Sequence, residues 1–256
     1  MERTPGVERT PGMERTPGVE LSVDTLAGAL AADRLGARRI ELCSAGALGG
    51  LTPGPGLLAG ALAGCRSTEV HVLVRPRDGG FRYSSAEVDV MATDVAHAVA
   101  AGAAGVVVGA LTRRDDPDSG ALAELVAAAA GRPVGFHRAL DVCRDPLGAV
   151  QRLAELGVRR VLSSGQAARA EDGIGVLAAM AALAGDQLVI TACGGIRAHN
   201  AVGVLRASGV GEVHAAPRVV PVRRPPIPAG GVDFGGHAEL DVPAAAALIA
   251  AVNQLR

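Results

Sequence analysis

The chain has 256 residues, 49% of them hydrophobic and 20% charged, an ordinary globular composition with length enough for one large core. Its formal net charge is −1 and it has no large basic block, which argues against extensive nucleic-acid or anionic-membrane binding. There is no lysine, so Schiff-base catalysis by a lysine amine is excluded; with 2% aromatics and no tryptophan, the core falls to Ala, Val, Leu and Ile.

Residues 1–19 are three copies of a short unit, Glu2 to Val7, Glu8 to Met13 and Glu14 to Val19, each with a Pro-Gly turn. Nothing in them can build a core, so they read as a disordered tail ahead of a single domain over 20–256. From there strand and helix signals alternate. Strands are expected at 20–24, 39–43, 70–75, 105–109, 134–137, 160–163, 188–192 and 212–215. Between them lie helical stripes such as Val88, Met91, Val95 and Val99, or Leu122, Leu125, Val126 and Ala129. Ser84 with Glu87 has the capping-box spacing, Asp145-Pro146 places an N-cap before a proline, and Asp241 with Pro243 opens the last helix. Eight such units favour an α/β fold of the closed (β/α)8 TIM-barrel type over an open sheet. The long Pro-, Gly- and Arg-rich loop at 217–240 follows the eighth strand and is expected to fold over the barrel mouth.

The four cysteines, Cys43, Cys65, Cys143 and Cys193, are widely spaced with no C-x-x-C. No signal-like or membrane-spanning segment is evident, so a cytoplasmic protein with free thiols is expected.

In a barrel the active face is built at the carboxyl ends of the strands, and strand parity picks out the inward side chains. Parity points Glu20, Ser22 and Asp24 inward from the first strand and Glu41 and Cys43 from the second. Arg75 and Arg77 come from the third, His137 from the fifth and His214 from the eighth. Buried charges must pair, and Arg75 is the expected counter-charge for Glu20 and Glu41.

One reading is an enzyme for a small anionic, possibly phosphorylated, metabolite. Gly194, Gly195 and Arg197, with Arg75 and Arg77, would bind the anion; Glu41 or His137 would be the base and His214 the acid. Another makes Glu20, Glu41, His137 and His214 ligands of Zn²⁺ or Mn²⁺. No nucleophile elbow, zincin, Walker or Rossmann motif is present.

Several stretches resemble the CutC family of copper-homeostasis proteins. They are Arg39 to Cys43 followed by Gly49 to Pro53, Arg75-Pro76-Arg77 with Phe81, Tyr83 and Ser84, and Gly109 to Thr112. Phe136 to Ala139 with Asp141, Leu162 to Gly165, Gly194 to Arg197 and Glu212 to His214 complete the set. The resemblance implies a cytoplasmic (β/α)8 barrel, a homo-oligomer (dimer or tetramer), and a link by name to copper. It implies Cys43 as a copper ligand beside a first-strand cysteine, but that position here is Ser22; Cys193, another departure, is a second candidate ligand across the barrel mouth. Because Cu(I) selects soft sulfur donors, weak or absent copper binding is expected with Ser22 in place.

Overall fold

The computed structural model describes residues 17–220, 231 and 236–255. Eight strands, β1 (Gly18–Val23), β2 (Arg39–Leu42), β3 (Glu69–Leu73), β4 (Gly105–Val108), β5 (Val134–Phe136), β6 (Arg160–Ser163), β7 (Val189–Ala192) and β8 (Glu212–Ala215), form a closed barrel in chain order. Every neighbouring pair is parallel, and β1 closes on β8 with Glu20 opposite His214. The helices α1 (Leu26–Arg34), α2 (Pro55–Gly64), α3 (Ser85–Ala101), α4 (Ser119–Ala128), α5 (Pro146–Glu155), α6 (Ile174–Ala184), α7 (Ala198–Ser208) and α8 (Val242–Asn253) separate and follow the strands. This is the (β/α)8 barrel expected from the alternation, with strand limits moved by one or two residues.

Two layers divide the work. Leu21, Val23, Ile40, Leu42, Val70, Val72, Val106, Phe136, Val161 and Val213 belong to the large buried cluster that packs strands on helices. Cys43, Leu73, Val107, Leu162 and Cys193 form a separate, smaller cluster, drawn from the opposite parity of their strands. The expected caps are in place. Ser84 and Glu87 exchange side-chain and backbone bonds at the start of α3, and Asp145 and Asp241 cap α5 and α8.

Composition places Gly18 and Val19 in the tail, yet they open β1 opposite Glu212 and Val213, and Val19 is buried. The physical reason is parity: Val19 extends the outward face of Leu21 and Val23, so the last repeat unit ends inside the first strand. The tail expectation for residues 1–16 lies outside the described residues. The loop at 217–240 is not wholly irregular: β9 (Arg218–Val219) pairs antiparallel with β10 (Glu239–Leu240) at its base. Whether its middle covers the mouth lies outside the described residues. Among the described residues, no helix is long and apolar enough to cross a membrane.

Candidate functional site

The barrel interior is charged from its amino end upward. Arg39 leads the floor: its Nη1 donates to Glu212 at 3.0 Å and its Nε to Glu69 at 3.1 Å. Arg38 adds a bond to the other Glu212 oxygen at 3.1 Å. Above them Glu20 has 0% side-chain exposure and binds Arg160 through a short ion pair, with Arg39 at 3.5 Å and His214 Nδ1 at 2.7 Å. Burial alone would raise the Glu20 pKa; Arg160, His214 and Arg39 outweigh it and hold the carboxyl well below its ordinary value.

His214 bridges upward. Its Nε2 lies 3.9 Å from Glu41. Burial works against its charged form, but the Glu41 and Glu20 carboxylates prevail and raise its pKa. Glu41 moves the other way: burial and the Glu20 charge raise its pKa despite His214 and Arg160. A carboxyl inclined to take a proton therefore sits beside an imidazole inclined to keep one, and the two titrate as a pair.

Above this pair is a cavity of about 560 Å³ at the carboxyl ends of the strands. Glu41, His137, His214, Arg75, Gly194, Gly195, Arg197 and Cys193 all line it, as do Ser22 and Asp141. The fold thus brings together most of the residues singled out by parity. Gly194 and Gly195 have φ of +95° and +71°, which an L side chain rarely adopts, and this conformation turns the chain after β7 into the cavity wall.

Two arginines behave differently from expectation. Arg75 is buried but pairs with no carboxylate among the described residues. Its Nη1 donates to the Leu48 and Gly50 carbonyls at 2.9 and 2.8 Å, and its Nη2 to Gly79 at 2.9 Å. It ties the loop after β2 to the loop after β3, and Arg160 and Arg39 take the counter-charge role instead. The reason is reach: Arg75 lies beyond the end of β3, whereas Arg160 and Arg39 start their strands beside Glu20. Arg77 is not in the cavity wall; it binds Glu87 and the Asp78, Gly80 and Arg82 carbonyls and lies over Tyr83.

Arg75→Met should therefore leave three loop carbonyls without their charged donor, not strand a carboxylate. We expect a loss of about 2–3 kcal/mol, additive with Glu41→Gln in denaturant melts. Coupling between the two would reveal an Arg75–Glu41 interaction absent from this geometry.

Asp141 was noted only as part of a motif. In the short 3-10 helix Arg138–Val142, it accepts from Ser163 Oγ (2.6 Å), Ser164 N (3.0 Å), Gln166 N (3.3 Å) and Arg138 Nε (2.7 Å), pinning the loops after β5 and β6 together. Arg160 was missed as well. Counting back from Val161, which faces the helices, would have put it inside.

Cys43 Sγ is 3.7 Å from Ser22 Oγ and donates to the Val23 carbonyl, and burial with the Glu41 charge pushes its pKa up to about 12. Burial raises Cys193 well above its ordinary value too. Glu20, Glu41 and His214 offer atoms within 4.8 Å of one another. Glu20, however, is already neutralised by two arginines, and His137 is not in that group.

A closed (β/α)8 barrel with a buried chain of charges beneath a polar cavity at the carboxyl ends of the strands has the layout of the barrel class, whose sites lie at that end. Comparison with known proteins then identifies the family: the CutC family profile matches residues 18–219, and the chain belongs to it. A family protein CutC of Photobacterium profundum is 41% identical over 195 residues, covering 76% of this chain and 79% of its own length. One from Mesorhizobium japonicum is 39% identical over 242 residues, 91% and 93% of the two chains. A solved structure of CutC from Streptococcus agalactiae, a protein named for copper homeostasis, superposes with a TM-score of 0.74 at 30% identity, over 77% of this chain and 97% of that one.

Proposed function

We propose that the mouth cavity binds a small anionic metabolite and works on it by acid–base chemistry, with Glu41 as base and His214 as its proton-bearing partner. The observation that carries this reading is the stack Glu20–His214–Glu41 opening into the cavity. Glu20 holds the imidazole through Nδ1, which leaves Nε2 facing Glu41, and burial raises the basicity of Glu41 where a ligand would meet it. Gly194, Gly195 and Arg197 supply the anion-binding side of the wall.

The test begins with native mass spectrometry of the purified chain for a co-bound metabolite. Small oxo acids and sugar phosphates are then incubated in D2O and carbon-bound proton exchange is followed by NMR. Exchange is expected with the parent and should fall by about 10²–10⁴ in Glu41→Gln. No co-bound metabolite together with no exchange would remove the reading.

Copper is the other reading, brought by the name of the Streptococcus agalactiae relative. The donors here suit Cu(I) poorly. Cys43 and Cys193 are thiols held protonated by burial, and Ser22 offers a hard hydroxyl. Weak or absent Cu(I) binding is expected in competition with a chelator, strengthened by Ser22→Cys. Tight binding that persists in Cys43→Ala and Cys193→Ala would overturn this account. A cytoplasmic homo-oligomer remains part of the proposal on the strength of the family resemblance.

A further inference from the structure

Two residues that line the cavity carry a buried donor with no hydrogen bond of ordinary geometry, His137 at Nε2 and Arg75 at Nε; the Tyr83 hydroxyl, likewise unpartnered, lies near Arg75. The imidazole is fixed from several directions. Its Nδ1 accepts a hydrogen bond from the Ala139 backbone N–H at 3.1 Å. That bond places the lone pair on Nδ1, so the neutral ring carries its proton on Nε2. Phe81 packs against the ring with centroids 4.7 Å apart, and the same Phe81 lies under the Arg75 guanidinium. Gly109 leaves room on the neighbouring strand end, where a Cβ would overlap the imidazole. His137 is only 7% exposed.

An orphaned buried N–H costs about 1–3 kcal/mol unless water or a ligand completes it, and the two at His137 and Arg75 belong to residues that line the cavity. The Arg75 guanidinium is fixed as well, because both of its terminal nitrogens are engaged with loop carbonyls. We propose that the Nε2–H of His137 and the Nε–H of Arg75 receive the carbonyl and carboxylate oxygens of a small oxo acid, with His137 as a neutral hydrogen-bond donor. The inference rests on the reading of the mouth as a ligand site, and it gives that ligand a chemical class.

His137 is then neither a general base nor a metal ligand. Both roles need the Nε2 lone pair, and the tautomer that frees it would set Nδ1–H against the Ala139 N–H, two donors face to face. Burial and the adjacent Arg75 charge, which pull the pKa down to about 3, keep the ring uncharged at neutral pH. A neutral imidazole suits an sp² oxygen that gains negative charge as a proton leaves the adjacent carbon. With pyruvate, Glu41 would take a methyl proton; the C–H electron pair becomes the C=C bond and the carbonyl oxygen becomes an enolate held by His137. Return of a proton from Glu41 to carbon restores the ketone. The single N–H groups of His137 and Arg75 match one carbonyl and one carboxylate oxygen and are too few donors to hold a phosphate dianion between them.

The test uses the full chain labelled with ¹⁵N-histidine and long-range ¹H–¹⁵N spectra, with pyruvate, acetate and inorganic phosphate as probes. His137 should be an Nε2–H tautomer from about pH 8 to about pH 5, and its Nε2–H resonance should move with pyruvate or acetate. His137→Phe should weaken pyruvate binding at least about tenfold. His137→Gln, whose side-chain amide can place an N–H near Nε2, should restore part of it. An Nδ1–H tautomer, titration near the ordinary histidine value, a response to phosphate alone, no response to any of the three probes, or parental pyruvate affinity in His137→Phe overturns the proposal. If His137→Phe fails to fold, the tautomer and probe response of the parent decide. Failure of the acid–base reading is distinguishable: pyruvate would still move His137, but its methyl protons would exchange equally in the parent and in Glu41→Gln.

Discussion

Arg160→Met is expected to destabilise the protein by about 3–5 kcal/mol, because it removes the main counter-charge of a carboxylate with no access to water. Arg39 cannot compensate, since it is 3.5 Å away and already committed to Glu212 and Glu69. The effect has a defined pH dependence. In the parent the Glu20 pKa is depressed in the folded state, so its stabilising contribution is complete above the unfolded value of about 4.3 and is lost only as pH falls through the lower folded value. Without Arg160 burial dominates and the folded pKa rises, so the variant incurs a penalty that grows as pH climbs above about 4.3. The gap between parent and variant in denaturant midpoint should be widest near neutrality and should narrow towards about pH 4. Adding Glu20→Gln should recover much of the loss at neutral pH. A gap that is flat with pH would place Arg160 away from Glu20.

Asp141→Ala should be the most damaging single change at the cavity rim. It withdraws one acceptor from the Ser163 hydroxyl, the Ser164 and Gln166 backbone N–H groups and the Arg138 guanidinium. Water can reach some of these, so a loss of about 3 kcal/mol is expected, less than the sum of the separate bonds. Asp141→Asn keeps the shape but turns one acceptor into a donor and should lose an intermediate amount. Because the residue also lines the cavity, both variants should weaken binding of any ligand found there, Asp141→Ala more strongly. A parental melting curve for Asp141→Ala would mean that the loops after β5 and β6 are held by other contacts.

The interior was legible where strand parity could be applied without knowing which strands meet. Glu20, Glu41 and His214 alternate with aliphatic neighbours and His137 follows Phe136, and all four are buried or nearly so inside the barrel. Arg39 and Arg160 were equally legible by parity, through Ile40 and Val161, but each follows another arginine and so reads as part of a solvated pair. Arg38 is in fact 40% exposed in its side chain, whereas that of Arg160 is 6% exposed. The pairing of Glu20 with Arg75 failed for a different reason. Parity says which face a residue takes, not its height along the barrel, and Arg75 sits at the mouth while Glu20 lies below the cavity.

Local pattern was enough for the architecture: the alternation of short aliphatic strands with capped helices, the caps at Ser84, Asp145 and Asp241, and the glycines after β7 follow from neighbours a few residues apart. Closure of the barrel was not local. It brought β1 against β8, and with it His214 to within 2.7 Å of Glu20, 194 residues away in sequence. The protonation of the site depends on that closure, since burial and charges from four strands and the loop after β3 decide it together. Glu41 is raised, Glu20 depressed and His137 held neutral by groups that share no sequence neighbourhood with them. Residue types and their faces were set by the chain order; which charge meets which, and which donor is left unpartnered, was decided only by the tertiary structure, because electrostatic interaction depends on distance and burial and not on separation along the chain.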